Sequence, residues 1–255
     1  MKQAMHINHY RATQGGFSLI ELMVAITISL ILLAGVSQVF LSSKTSYNLQ
    51  DGMGRLQENA RFALDIMSSS IGQGGYASTS SAAIDAFDGT NDKENYTANT
   101  DLGFTTAAMT ASDTIEVSYY SATDCLGNST GAGGIAKDKF YLSGSNLMCL
   151  GSGSTTPGVV AEGIENMQIL YGEDTDSGFG DGIANKYVDA NNVGDWKHIV
   201  SVRIALLVST VQTVGNGTTD TKTHSLLNTP PIGPIGDHVI RRVFGRTIIL
   251  RNKSV

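Results

Sequence analysis

The sequence is short of basic residues where it is most apolar. No lysine or arginine stands between Arg11 and Lys44, and residues 16–41, GFSLIELMVAITISLILLAGVSQVFL, carry one charge, Glu21. Cysteine is scarce too: Cys125 and Cys149 are the whole complement, and neither follows the apolar run as a lipoprotein acylation site would. Basic excess is missing overall. The net charge of −6 argues against non-specific binding of nucleic acid, which needs a cationic surface to displace counterions. Five histidines are scattered, His6 and His9 ahead of the apolar run and His198, His224 and His238 near strand ends, so no metal-ligand or triad spacing forms. Proline is rare, and three of the four, Pro230, Pro231 and Pro234, mark one long surface connection. No internal repeat is present.

The apolar run itself is the main positive feature. As a helix, residues 17–41 extend about 37 Å, enough to cross a hydrocarbon core of about 30 Å with some tilt. Lys2 and Arg11 form the short basic flank that stays cytoplasmic, which puts the rest of the chain outside, in the periplasm of a diderm bacterium. A cleaved secretory signal has its small-residue cut site after a shorter apolar core, whereas here Gly15 and Gly16 precede it. Cleavage at that point leaves the helix on the mature chain. Removing residues 1–16 takes two basic residues and no acid, so the exported part stands at −8. Two cysteines in an oxidising compartment read as one disulfide, with 23 residues between them and about 3 kcal/mol from loop closure. Two buried free thiols are the alternative.

Beyond the run, Leu49, Met53, Leu56, Ala60, Ala63 and Met67 recur in alternating steps of four and three, a heptad seam on a continuing helix. Gly52 and Gly54 weaken it and predict a bend or break, and Gly72, Gly74 and Gly75 predict its end. Residues 77–112, rich in Ser, Thr, Ala, Asn and Asp, read as a variable surface loop region. Strands are predicted over 114–120, 139–142 with 146–150 as a hairpin, 164–171, 198–209 and 239–251. In 198–209 Val200, Val202, Ile204, Leu206 and Val208 share one face, and the last strand is predicted to bend at Gly245. The fold expected is α+β: a long N-terminal helix, apolar and membrane-spanning in its first half and amphipathic in its second, packed on one C-terminal domain with a single antiparallel sheet. Its segments are 1–16 leader, 17–43 apolar helix, 44–75 amphipathic helix and 76–255 head.

The segment GFSLIELMVAITI resembles the class III signal of type IV pilins and pseudopilins. The resemblance implies that a prepilin peptidase cuts after Gly16, that the new amino terminus at Phe17 is N-methylated, and that Glu21 becomes the fifth residue of the mature chain. A carboxylate in lipid is costly until paired, and the α-ammonium of a neighbouring Phe17 is a charge at matching depth. The stretch from Val39 to Tyr76, with GIENMQILYG from Gly163, DWKHIVSVRIALLV from Asp195 and TIILRN from Thr247, is similar to the PilW family of minor pilins. That resemblance implies a non-enzymatic, low-abundance subunit that helps prime pilus assembly. Its implied partners are other minor and major pilins, a tip adhesin, the prepilin peptidase and an inner-membrane assembly platform. It would sit in the inner membrane with a periplasmic head, then in the pilus. Gln38 stands where many major pilins have a helix-kinking proline. A minor pseudopilin of type II secretion and a membrane-anchored periplasmic enzyme or binding protein remain rival readings.

Three further motifs weigh less. Asp174, Asp176 and Asp181 have the Asp-x-Asp and Asp-Gly spacing of a calcium loop, but Gly178 stands where an EF-hand needs a third acid and no Glu closes the loop. A solvated acidic turn is the competing reading, and no other cofactor is indicated. Gly127-Asn128-Ser129-Thr130-Gly131 matches G-x-S-x-G, yet it lies in a glycine-rich run without the strand and helix that motif requires. Trp196 reads as a packing residue, with a surface anchor as the alternative.

Overall fold

The computed structural model describes residues 16–78, 84–87, 112–176, 180–213 and 219–252. Residues 1–15 of the expected leader and most of the 77–112 region lie outside the described residues. Two compact units divide the chain, Met1–Tyr47 and Asn48–Val255.

One helix, α1, runs Leu19–Gly72. Through Tyr47 every described residue is exposed, including Ile31 at 72 % and Leu33 at 66 %. By length and composition this is a helix that can cross a membrane. Three of its hydroxyls are arranged for such a solvent. Thr27 donates to the Val24 carbonyl at 2.8 Å, Ser29 to Ala25 at 2.7 Å and Ser37 to Leu33 at 2.8 Å, so none needs water.

In the second unit the seam is half engaged. Leu56, Ala60, Ala63 and Met67 are buried, together with Leu64 and Ile71, whereas Leu49 and Met53 are only half-buried. The predicted break at Gly52 and Gly54 does not occur, and α1 runs through both. Each glycine costs about 1 kcal/mol relative to alanine, which the buried turns that follow offset. The stop at Gly72 is as predicted. A Cβ on Gly74 would lie 3.0 Å from both the Ile71 carbonyl oxygen and Val117, and Gly75 takes φ +74°, so the chain leaves the helix in tight contact with the sheet.

Eight strands follow: β1 Ile115–Tyr120, β2 Ile135–Ser143, β3 Asn146–Gly151, β4 Gly158–Glu162, β5 Ile164–Glu173, β6 Lys186–Val188, β7 Ile199–Ser209 and β8 Arg241–Ile249. All described pairings are antiparallel, but they form two four-stranded sheets, β1-β2-β3-β4 and β6-β5-β7-β8, and not the single sheet expected. The division falls at Gly163, φ +77°, where a Cβ would lie 2.6 Å from the Ser209 carbonyl oxygen. There the chain passes from the edge of the first sheet into a central strand of the second. The short β4 and β6 carry too little periodicity to be read from sequence.

β7 departs from its one-sided pattern. Val202, Ile204, Leu206 and Val208 enter the main core with α1, but Ala205 and Leu207 are buried as well, beneath Leu226 and Ile232. The proline-bearing connection therefore covers the second face of the sheet. It is fastened by reciprocal backbone bonds of 2.8 Å between His224 and Ile232. Gly245 makes no bend, because β7 and β8 pair in unbroken register from Ser201↔Ile249 to Ser209↔Arg241.

Candidate functional site

At the start of α1 the residues are open and capped. Gly16, Phe17 and Ser18 precede the helix, a Cβ on Gly16 would meet nothing within 4 Å, and Phe17 is 86 % exposed. The Ser18 hydroxyl accepts a hydrogen bond from the Glu21 backbone N–H at 3.2 Å. Ser-x-x-Glu is the sequence signature of a helix N-terminus, and it places the Glu21 carboxylate in the first turn, where the helix dipole favours negative charge. Local structure thus offsets part of the cost of the acid before any partner arrives. Gly16, Phe17 and Glu21 lie together on one accessible terminus.

Cys125 and Cys149 are joined as a disulfide, Cα atoms 6.7 Å apart, tying the 121–134 loop to β3. Beside it Asp138, fully buried on β2, accepts from the Cys125 backbone N–H at 2.9 Å, the Ser70 hydroxyl at 2.8 Å and the Tyr119 hydroxyl at 2.5 Å. Burial, and then donation to Asp138, push the Tyr119 hydroxyl far above its usual pKa, so it stays a donor. One carboxylate joins helix, sheet and disulfide loop.

Asp174, Asp176 and Asp181 do come together, each offering an oxygen within 4.8 Å of the others. Those oxygens also hold the turn. Asp174 accepts from the backbone N–H of Asp176 at 3.1 Å and of Gly182 at 2.9 Å, and Asp181 from that of Ile183 at 2.9 Å. Gly178 lies outside the described residues. The three acids could contribute oxygens to a hard cation, but their present bonds are those of an acidic turn. Ser129 of the G-x-S-x-G string accepts a long 3.4 Å bond from Gly131 in a loop, with no histidine bonded to it among the described residues. Trp196 is half-buried, its ring 4.9 Å from that of Tyr171 and edge-on to it, a packing role.

A cluster that sequence reasoning missed surrounds Arg241, whose side chain is 1 % exposed. Its guanidinium donates to Glu165 at 2.5 and 3.0 Å, to Asp237 at 2.6 and 2.7 Å, and to Asp220 at 3.1 Å. His224 lies 3.3 Å from Asp220. Burial opposes the charge on Arg241, but the bonds to Asp237 and Glu165 outweigh it and hold the group protonated well above its ordinary range. In return the guanidinium's hydrogen bond holds the Asp237 carboxyl below the usual carboxylate range. The cluster fixes the 219–240 connection to β5 and β8.

Two families match the sequence: the prokaryotic N-terminal methylation motif over residues 11–37, and Type IV Pilus-assembly protein W over residues 129–252. Among solved structures, a type IV-like pilin from Thermus thermophilus is 14 % identical, covers 79 % of this chain and 99 % of its own, and has a TM-score of 0.43. No curated protein matches. An apolar helix behind a Gly-Phe junction, an acid in its first turn and a disulfide-bonded antiparallel head define a pilin-like, membrane-anchored subunit. Within that class the head resembles the PilW family of type IV pilus-assembly proteins, whose match spans residues 129–252.

Proposed function

We propose that this chain is a structural, non-enzymatic subunit that primes type IV pilus assembly. It is inserted in the inner membrane with its head in the periplasm, cut after Gly16 by prepilin peptidase and N-methylated at Phe17. It then joins other minor and major pilins, drawn from the membrane by the assembly platform, in a complex that carries the tip adhesin. The observation that supports this best is the terminus itself: an open Gly16-Phe17 junction followed by a capped helix whose apolar residues are all exposed through Tyr47. Such a helix is stable alone only in lipid or against other apolar helices. Glu21 makes the second environment preferable, because a carboxylate at membrane depth costs about 2.5–3.5 kcal/mol or more unless paired. The α-ammonium of Phe17 on an adjacent subunit supplies the pair and sets the stagger between helices.

Two substitutions test the reading. Gly16→Val should leave a chain whose intact mass still includes the leader. A normally matured product would overturn it. Glu21→Ala should insert at least as well as the parent yet lower the number of pili, with twitching lost and protein secretion intact. Unchanged piliation removes the role assigned to Glu21, and a secretion defect alone moves the protein to the secretion system.

A further inference from the structure

We infer that β8 and the helix beside it form a docking slot for an extended segment, alternately acidic and apolar, of another protein chain, which adds to the sheet as a new strand. That the segment belongs to another pilus subunit rests on the function proposed above. The slot is a groove of about 910 Å³ bounded by Leu49, Met53 and Gln57 of α1, by residues 219–224, and by residues 239–243. Of these, Arg241, Arg242 and Val243 are consecutive residues of β8, and because successive residues of a strand point to opposite faces, a groove that touches all three looks onto the strand's edge and not onto either face.

That edge is open. β8 is the last strand of its sheet and pairs only with β7 among the described residues. Backbone bonds join Leu250 N–H to the Val200 carbonyl and Thr210 N–H to the Ile240 carbonyl, so the even-numbered residues of β8 are those bonded to its neighbour. By the alternation of an antiparallel ladder, the N–H and C=O groups of Arg241, Val243, Gly245, Thr247 and Ile249 point away from β7, those of Arg241 and Val243 at the slot and the rest along the edge that continues from it. No proline or bulge interrupts this row. Such an edge is a template for strand addition. The walls suit the alternate side chains of an incoming strand, with α1 on one side and the 219–224 segment on the other.

Charge selects the occupant. Residues 238–255 hold five basic residues and no acid, in a chain whose net charge is −6. In the slot Lys222 and Arg242 are exposed and have no ion-pair partner among the described residues, while Arg241 and Asp220 are already committed to each other. Leu49, Met53, Val239 and Val243 supply the apolar contacts. Carboxylates alternating with aliphatic side chains match both features, and a cationic strand is repelled.

The test uses the full chain in detergent micelles and an N-acetylated, C-amidated eight-residue peptide alternating valine and glutamate. We expect saturable binding by fluorescence anisotropy, at least tenfold tighter than for the valine–lysine counterpart, weakened by salt. It should be lost when alternate peptide nitrogens are methylated on the edge that faces β8. The Lys222→Glu, Arg242→Glu double variant, with its circular dichroism unchanged, should reverse the preference. Equal binding of both peptides, or binding indifferent to N-methylation, overturns the proposal. So does self-association by sedimentation with no peptide binding, which assigns the slot to a second copy. Peptide binding by a chain whose Gly16 and Glu21 variants mature and assemble normally leaves the slot standing and removes the pilin role; absent binding with dependent piliation does the reverse.

Discussion

Replacing Arg241 with methionine removes the guanidinium that two carboxylates with exposures of 8 and 6 %, Glu165 and Asp220, share with the partly exposed Asp237. Methionine fills much of the volume of the stem but makes none of the five hydrogen bonds of the guanidinium. Breaking a buried ion pair by deleting one partner costs about 3–5 kcal/mol, because the remaining charge stays buried. For a unit of this size each kcal/mol moves the melting temperature by about 2–4 °C, so a fall of about 6–20 °C is expected at neutral pH. Near-ultraviolet circular dichroism of the full chain in detergent, heated at about pH 7 and again near pH 4, reads the head directly. Between these two pH values the parent should hold and the variant should gain. The Asp237 carboxyl is held low in the folded parent, so its stabilisation is complete above the ordinary carboxylate value near ~3.9 and is lost only as pH falls through the depressed folded value. The variant holds uncompensated carboxylates whose protonation relieves it, so it gains stability over the interval in which the parent still holds. The gap should therefore narrow on acidification. A gap under about 1 kcal/mol at pH 7, or one of the same size at both pH values, would refute the reasoning. Arg241→Lys, which keeps the charge and loses the fork, should fall between.

Three other outcomes are expected. Joint substitution of Cys125 and Cys149 by serine should lower stability by about 3 kcal/mol in urea titration, and dithiothreitol should do the same to the parent and nothing further to the variant. Gly163→Ala should cost about 1–3 kcal/mol or more, because it meets both a φ of +77° and the Ser209 carbonyl oxygen 2.6 Å away; a neutral result in the same titration would mean that the turn between the sheets is free to move. Calorimetry with millimolar calcium should give no heat and no melting shift, and a saturable heat abolished by Asp181→Asn would make the Asp174 turn a metal site.

The sequence carried the fold wherever one periodicity applied over enough residues. The apolar run, the Leu56–Met67 seam and β1, β3, β5 and β7 all lie where patterns of 3.5 or 2 residues placed them within a few positions. It failed where a face was covered from far away. The alternation of residues 198–209 pointed to one buried side, and nothing local announces that Leu226 and Ile232 close over the other. The two-sheet division was hidden for a related reason. β4 and β5 are separated by one glycine, and a conformation of positive φ at Gly163, not a turn-rich stretch, ends one sheet and begins the next.

The candidate sites divide along the same line. Gly16, Phe17 and Glu21 were readable as candidates because they fall close together in the sequence, two just before α1 and one in its first turn. Arg241 is tied to Glu165, 76 residues away, and no period links them. One local signal was nevertheless present. In the register of β8, Arg241 has the parity of Val243, on the face of the sheet that the proline-bearing connection covers, so an arginine there required carboxylates from that connection. Asp220 and Asp237 are the acids that flank it. A charge on a covered face of a strand, followed by the search for acids at both ends of the covering loop, would have found three of the four residues. Glu165, on a strand whose every residue is buried, marks the same conflict from the other side. Either residue alone looks like an error of pattern, and together they are the pair that makes each tolerable.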